Sequence, residues 1–352
     1  MPLPEPEEQV QFLFKIQRIL SEGSFVATYK LALLLALANL AVERGDDTTG
    51  TLELDTLDLA EKFIELYWRQ VIPWPGGSGP RPQRLHQATG KEAAIIQRVA
   101  AAHARVTGDL QRLRHDRPAW RRLLQEVGRI IAVMPLWKLQ TVGGERLEFL
   151  YPNTDRGRRI QLRGEAVYCF RRFRDLVGEL AEAAWARFVR QLAKNRELLG
   201  ETTDVREFLF GVDRKALDAF RPLLMDHQDG RCFDCDARIR AAAEVDHFIP
   251  WSRYPMDLGH NLVAADARCN ADKTNRLAAV DHLRRWRERN DYAGFNAELA
   301  AKGLPADSQL THRVAFWAYS QADGSTRAKR ITVTVTRDGR SVVLSAIMVR
   351  GQ

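Results

Sequence analysis

Residues 230–276 read GRCFDCDARIRAAAEVDHFIPWSRYPMDLGHNLVAADARCNADKTNR. Cys232, Cys235 and Cys269 lie here, three of the four cysteines in the chain. The Cys232-x-x-Cys235 spacing puts two thiols on one tight turn, where they can share a tetrahedral metal. Asp266 stands three residues before Cys269, where a second such pair would place its first thiolate. Carboxylate oxygen is an acceptable zinc ligand, so Cys232, Cys235, Asp266 and Cys269 form a candidate structural zinc site. Two other readings stay open: a redox pair, disfavoured because no βαβ pattern surrounds it, and free structural thiols in a cage whose fourth corner is lost.

Between the two halves of the cage, residues 245–250 (VDHFIP) read as a short apolar strand with Asp246 and His247 at its end. Asn261 follows fourteen residues after His247 and opens a second strand, Leu262 to Ala265. Asn270 comes nine residues later at the start of a helix, with Lys273 one turn on. An Asp-His pair alone says little, but these residues at these intervals fit phosphodiester hydrolysis. That reaction needs a base for the attacking water and positive charge where the transition state gathers negative charge. Imidazole, with an ordinary pKa of about 6.5, accepts a proton near neutral pH.

The stretch resembles the HNH (His-Asn-His) endonucleases, a family with a ββα-metal fold, over roughly 50 residues. The resemblance implies that His247 is the general base and that Asp246 is a ligand of a catalytic divalent cation, Mg or Mn. It implies that Asn261 braces the loop that aims His247 and that Asn270 is the second metal ligand. Lys273 matches a basic position near the phosphate. Two positions depart from the pattern: Asn270 replaces the final His, and Asp266 replaces a cysteine of the second pair. The implied function is a metal-dependent endonuclease acting on DNA, by analogy of a restriction or phage-defence type. An RNA nuclease of the same fold and a non-catalytic, zinc-supported nucleic-acid-binding module are the alternatives.

Outward from this stretch, the fold class expected is mainly α with short β elements (α+β). It comprises a helical N-terminal region, the embedded ββα module and a C-terminal β-hairpin. The expected divisions are 1–79, helical; 80–200, basic and helical with a β-hairpin; 201–290, the nuclease module; and 291–352, a helix and the C-terminal hairpin. Phe12, Ile16 and Ile19 share one face of a first helix, and Ser24 is a candidate N-cap for a second running to Val42. A third is expected from Leu57 to Gln70, with Asp55 and Asp58 as a capping pair and Ala60, Phe63, Ile64, Tyr67 and Trp68 at helical spacing. The Pro- and Gly-rich segment from Pro73 to Gln83 is a linker or a long loop.

Helices are then expected over 91–113 and 118–135, a hairpin pairing Leu147–Tyr151 with Arg158–Arg163, and one long helix from Glu165 to Leu199. A helical region followed by a hairpin tipped with Arg156, Arg158 and Arg159 reads either as a winged arrangement on a phosphate backbone or as an ordinary surface hairpin. These three arginines and Arg276 are the candidate nucleic-acid contacts. Near the end, Arg330–Thr336 and Arg340–Val349 alternate around Asp338 and Gly339, a two-residue hairpin signal.

The chain has 352 residues and a net charge of +8, with 45 % hydrophobic and 28 % charged residues, which excludes collagen-like and disordered classes. Charge is uneven: residues 1–79 carry −6, residues 80–200 carry +12 and residues 201–352 carry +2. A basic middle third fits a nucleic-acid partner, and also the plain arginine richness of a GC-rich genome. Few cysteines, an acidic N-terminus and a longest apolar run (Leu31–Val42) too short to span a bilayer point to a cytoplasmic protein with no membrane partner. The helical N-terminal region is the expected place for a homo-oligomer contact or a regulatory partner.

Overall fold

Helix α1 (Pro6–Glu22) buries Phe12, Ile16 and Ile19, the face expected from their spacing. Helix α2 (Tyr29–Arg44) is buried on every side from Leu31 to Glu43, which makes it the centre of a helical assembly. Its two interior polar groups are both partnered. Asn39 accepts from the Arg174 guanidinium at 3.0 Å, and Glu43 pairs with Lys62 at 2.7 Å. Arg171 donates to the carbonyls of Ala41, Val42 and Gly45, so a buried cation caps the negative end of α2. Ser24 does not start this helix. Residues 26–28 are bonded across to residues 87–89 through an isolated bridge at Ala27 and Ala88 (Thr28 N to Gln87 O, 3.1 Å; Thr89 N to Val26 O, 2.9 Å), so the N-cap position falls on Thr28.

Strand β1 (Leu52–Asp55) leads into α3 (Thr56–Gln70). The expected capping pair is present: Leu57 N donates to Asp55 Oδ1 at 2.8 Å and Asp55 N to Asp58 Oδ2 at 2.9 Å. Ala60, Phe63, Ile64 and Tyr67 are buried and Trp68 is half-buried. The computed structural model describes residues 3–48, 50–75, 83–152, 158–199, 204–322, 328–337 and 340–349, so part of the Pro- and Gly-rich segment lies outside it. Its ends are joined, Trp74 N donating to Gln83 O at 2.7 Å.

The expected 91–113 helix is two, α4 (Ala94–Arg105) and α5 (Leu110–His115). Thr107 and Gly108 take φ 53° and 87° between them, and Asp109 caps α5. Helix α6 (Arg117–Val133), capped by Asp116, and the short α7 (Pro135–Lys138) follow. Strands β2 (Thr141–Val142) and β3 (Glu145–Arg146) then form a two-residue hairpin.

The expected 147–151/158–163 hairpin is not formed. Strand β4 (Arg159–Leu162) pairs antiparallel with β1, Leu52 opposite Leu162 and Asp55 opposite Arg159. The 147–151 segment is occupied by the buried Gln140 carboxamide, which accepts from Leu150 N at 2.7 Å and donates to Tyr151 O at 2.8 Å. The long helix expected from Glu165 is three: α8 (Gly164–Arg172), α9 (Arg174–Gln191) and α10 (Ala193–Leu199). Phe173 and Leu192 leave helical geometry at the joints, as Arg171 and Arg174 turn inward to α2 and the buried Asn195 carboxamide binds His86. Helix α11 (Val205–Phe210) ends this unit, Met1–Gly211, whose apolar core runs from Phe12 to Leu209.

The second unit, Val212–Gln352, opens with α12 (Arg214–Asp218) and α13 (Arg221–His227). Strands β5 (Glu244–His247) and β6 (Leu262–Ala265) pair antiparallel, with Asp246 opposite Val263 and His247 opposite Leu262. Helices α14 (Ala267–Lys273), α15 (Val280–Asp291), α16 (Ala293–Ala301) and α17 (Ser308–Ser320) follow. Leu223, Leu224, Val245, Leu262, Phe295 and Leu299 share a small core, and Trp286 of α15 stacks on Phe248 at 4.7 Å. Strands β7 (Ala328–Arg337) and β8 (Arg340–Val349) form the expected C-terminal hairpin; Asp338 and Gly339 lie outside the described residues. The protein is therefore mainly α with short antiparallel strand pairs. Among the described residues, no helix is long and apolar enough to cross a membrane.

Candidate active site and cysteine cluster

Side chains alternate along β5, so Val245 and His247 are buried on one face while Glu244 and Asp246 share the other. Helix α14 follows β6 directly and lays its own residues over the acidic face. Lys273 Nζ donates to Asp246 Oδ2 at 2.6 Å and also to the His247 carbonyl. Asn270 donates its amide to Glu244 Oε2 at 2.6 Å. The structure thus brings Asp246 and His247 of one strand together with Asn270 and Lys273 of the helix. Arg276 is exposed and folds back, its guanidinium donating to the Asp272 carbonyl.

His247 is 5 % exposed, and its Nε2 lies 2.7 Å from Asp257 Oδ1. Trp251 packs against the imidazole, ring centroids 5.2 Å apart. Both residues sit on the loop between the strands, which the fully buried Asn261 holds. Its Oδ1 accepts from Ile249 N at 2.9 Å, and its amide donates to the carbonyls of Ile249 and Met256, each at 3.2 Å. One carboxamide therefore ties the start of the loop to its end, one residue before Asp257.

Beside this site the sulfurs of Cys232, Cys235 and Cys269 lie within 4.8 Å of one another. A knuckle turn sets the first two. Cys232 N donates to Ala237 O at 2.9 Å and Asp236 N to Cys232 O at 3.0 Å, with Asp236 at φ 60°. Asp266 enters differently from expectation. Its backbone N–H donates to Cys232 Sγ at 3.3 Å, while its carboxylate accepts from Arg268 N at 3.0 Å as the N-cap of α14. The carboxylate is not part of the close cluster. Burial, then the two neighbouring thiols, push Cys269 up to about 12. Three sulfurs this close are soft donors at tetrahedral-site spacing, so the donor set fits a thiophilic cation such as zinc.

Three participants carry no sequence signal. Asp257 and Glu244 are single acids in a loop and a strand. Asp234, between the paired cysteines, has its carboxyl pushed up by burial while Lys273 pulls it down and Asp246 raises it further. Its Oδ2 has no hydrogen-bond partner among the described residues. Helix α15 clamps the same turn, His282 Nε2 lying 2.8 Å from Asp234 O and Arg285 donating to Phe233 O at 2.7 Å.

Of the expected nucleic-acid contacts in the first unit, Arg158 is exposed and Arg159 pairs with Glu53 at 2.8 Å on the protein surface. Arg156 lies outside the described residues.

Comparison with known families assigns the class. Residues 235–279 match the HNH endonuclease family, so the second unit carries an HNH endonuclease segment. Residues 9–209 match a domain of unknown function (DUF8808), more than half of the chain, and the chain belongs to that family. No curated protein and no solved structure matches it.

Proposed function

We propose that the protein is a divalent-cation-dependent endonuclease that hydrolyses phosphodiester bonds in DNA. The observation that carries this reading is the convergence of Asp246 and His247, at the end of one strand, with Asn270 and Lys273 of the helix laid over it. The Asp246 carboxylate and the Asn270 amide oxygen are hard donors suited to Mg or Mn. Glu244 and Asp246 share one face and supply the negative charge a cation needs, part of it offset by the Lys273 ammonium. When bound, such a cation offsets charge on the phosphate as the transition state forms. His247 takes the proton of the attacking water, and Asn261 keeps its loop in place. Incubating the protein with duplex DNA, single-stranded DNA and RNA, with and without Mg or Mn, tests the reading. Metal-dependent internal cuts in DNA support it, cuts confined to RNA move the substrate, and no cutting of any leaves a binding module.

Zinc on Cys232, Cys235 and Cys269 is the second part of the proposal. Asp266 caps α14 through Oδ1 and lies outside the close sulfur cluster, so a role as fourth ligand would fall to its other oxygen or need the side chain to turn. Asp266→Ala separates the two roles: a cap alone costs about 1 kcal/mol of stability, whereas a ligand costs zinc content as well.

Nucleic-acid contact in the first unit is supported best on α6. Arg121, Arg122 and Arg129 are exposed on its outward arc, with Arg117 at its start, and the one acid of the helix, Glu126, is taken by Arg98 at 2.7 Å. Reversing Arg121, Arg122 and Arg129 to Glu should flatten the log–log salt dependence of duplex binding by about 2 to 3 units, just under one per lost phosphate contact. The same reversal at Arg158 and Arg159 tests the wing. Fluorescence anisotropy across a salt series reads both, and an unchanged slope returns that surface to solvent.

A further inference from the structure

We infer that Asp257 is the positioning residue that sets the tautomer of His247. The inference rests on the nuclease reading above and assigns the loop acid a role in it.

A neutral imidazole carries one N–H and one lone pair, and a base needs the lone pair facing the water. Asp257 Oδ1 lies 2.7 Å from Nε2, and an ionised carboxylate only accepts, so the proton belongs on Nε2. The lone pair is then on Nδ1. In the reaction the water oxygen bonds to phosphorus and the water proton passes to Nδ1, while the bond to the leaving oxygen breaks with its electron pair on that oxygen, which takes a proton from solvent. Asp257 stays ionised throughout and balances the imidazolium. Trp251 against the ring opposes the flip that would exchange the two nitrogens.

The placement of Asp257 is itself built in. Asn261 donates to the Met256 carbonyl at 3.2 Å, fixing the peptide that leads into Asp257, and Leu258 O accepts from Asn261 N at 2.7 Å on the other side. The acid is thus held from both neighbours by one buried asparagine. Bracing the loop and aiming the base become one act: Asn261 aims Asp257, and Asp257 aims His247. The Asp257 side chain is 32 % exposed and lies outside the unit's apolar core, so replacing it removes little packing.

The test compares Asp257→Asn, Asp257→Ala and Asp257→Glu in the full chain. Asparagine can turn its amide N–H toward Nε2 and stabilise the opposite tautomer, leaving no lone pair for the water. Asp257→Ala should lower kcat roughly 10–100-fold, the usual worth of an orienting partner, with KM for DNA and the melting temperature nearly unchanged. Asp257→Asn should fall further, toward the 10²–10⁴-fold worth of the base itself. Asp257→Glu should recover part of the loss. Nitrogen-15 NMR of the histidine-labelled protein, with the His247 signal assigned by its loss in His247→Gln, reads the tautomer directly. The expected pattern is Nε2–H in the wild type and a shift away from it in Asp257→Asn. Wild-type His247 found as Nδ1–H overturns the inference, as does wild-type kcat in Asp257→Asn. If no nucleic acid is cut even by the wild type, the nuclease reading fails, and the NMR result still decides whether Asp257 fixes the ring.

Discussion

His247→Ala should cut the rate of DNA cleavage roughly 10²–10⁴-fold while leaving DNA binding nearly intact, because a positioned base acts in the transition state and adds little to ground-state affinity. Asp246→Ala and Asn270→Ala should lose activity by a different route, visible as a raised requirement for Mg or Mn. Asp246→Ala has a second consequence. Lys273 loses its carboxylate partner at 2.6 Å while its bond to the His247 carbonyl remains. Single-turnover cleavage across a metal series separates the two kinds of variant. A His247→Ala protein cutting at the wild-type rate would remove the imidazole from the mechanism.

Losing the cluster metal should have the largest effect on stability. Structural zinc contributes on the order of 10 kcal/mol to small domains, comparable with the whole stability of a typical fold. Cys232→Ser should therefore unfold much of the second unit, since Cys232 also accepts from Asp266 N at the start of α14. Elemental analysis should return about one zinc per wild-type chain and none from the variant. Binding should release protons and weaken as pH falls, because the thiols, Cys269 above all, must be deprotonated to ligate. A zinc-free wild type with an unchanged melting temperature would make the cluster three ordinary thiols.

What the sequence exposes is what is local. The Asp55–Asp58 pair and the Phe12–Ile16–Ile19 face are set within one or two helical turns, so spacing alone reveals them. The segment from Asp246 to Lys273 is similarly short, so the order and spacing of its strand, loop and helix can be read directly, although Gln228, Trp286 and Arg289 from outside it help to hold it. Ser24 misleads because residues 26–28 answer to residues 87–89, a partnership no local pattern announces. Strand β4 misleads for the same reason, its partner lying far upstream while a nearer segment is already engaged by Gln140. Asp257 is invisible because an acid in a polar loop has no distinctive spacing. Asp266 fits a ligand position by number, yet its carboxylate is claimed by the helix it begins.

The β1–β4 pairing also governs when the first unit can form. Thr51, just before β1, bonds to Gln161 of β4, 110 residues away. During synthesis the edge at Leu52–Asp55 therefore waits for its partner, for on the order of ten seconds at ribosomal rates. Loop closure over such a span is slow, and an unpaired edge invites pairing with other chains. A fragment ending before residue 158 keeps that edge open permanently and should aggregate, whereas one ending near Gly211 contains both strands and the whole of the first core. The place to cut this chain is set by two four-residue strands.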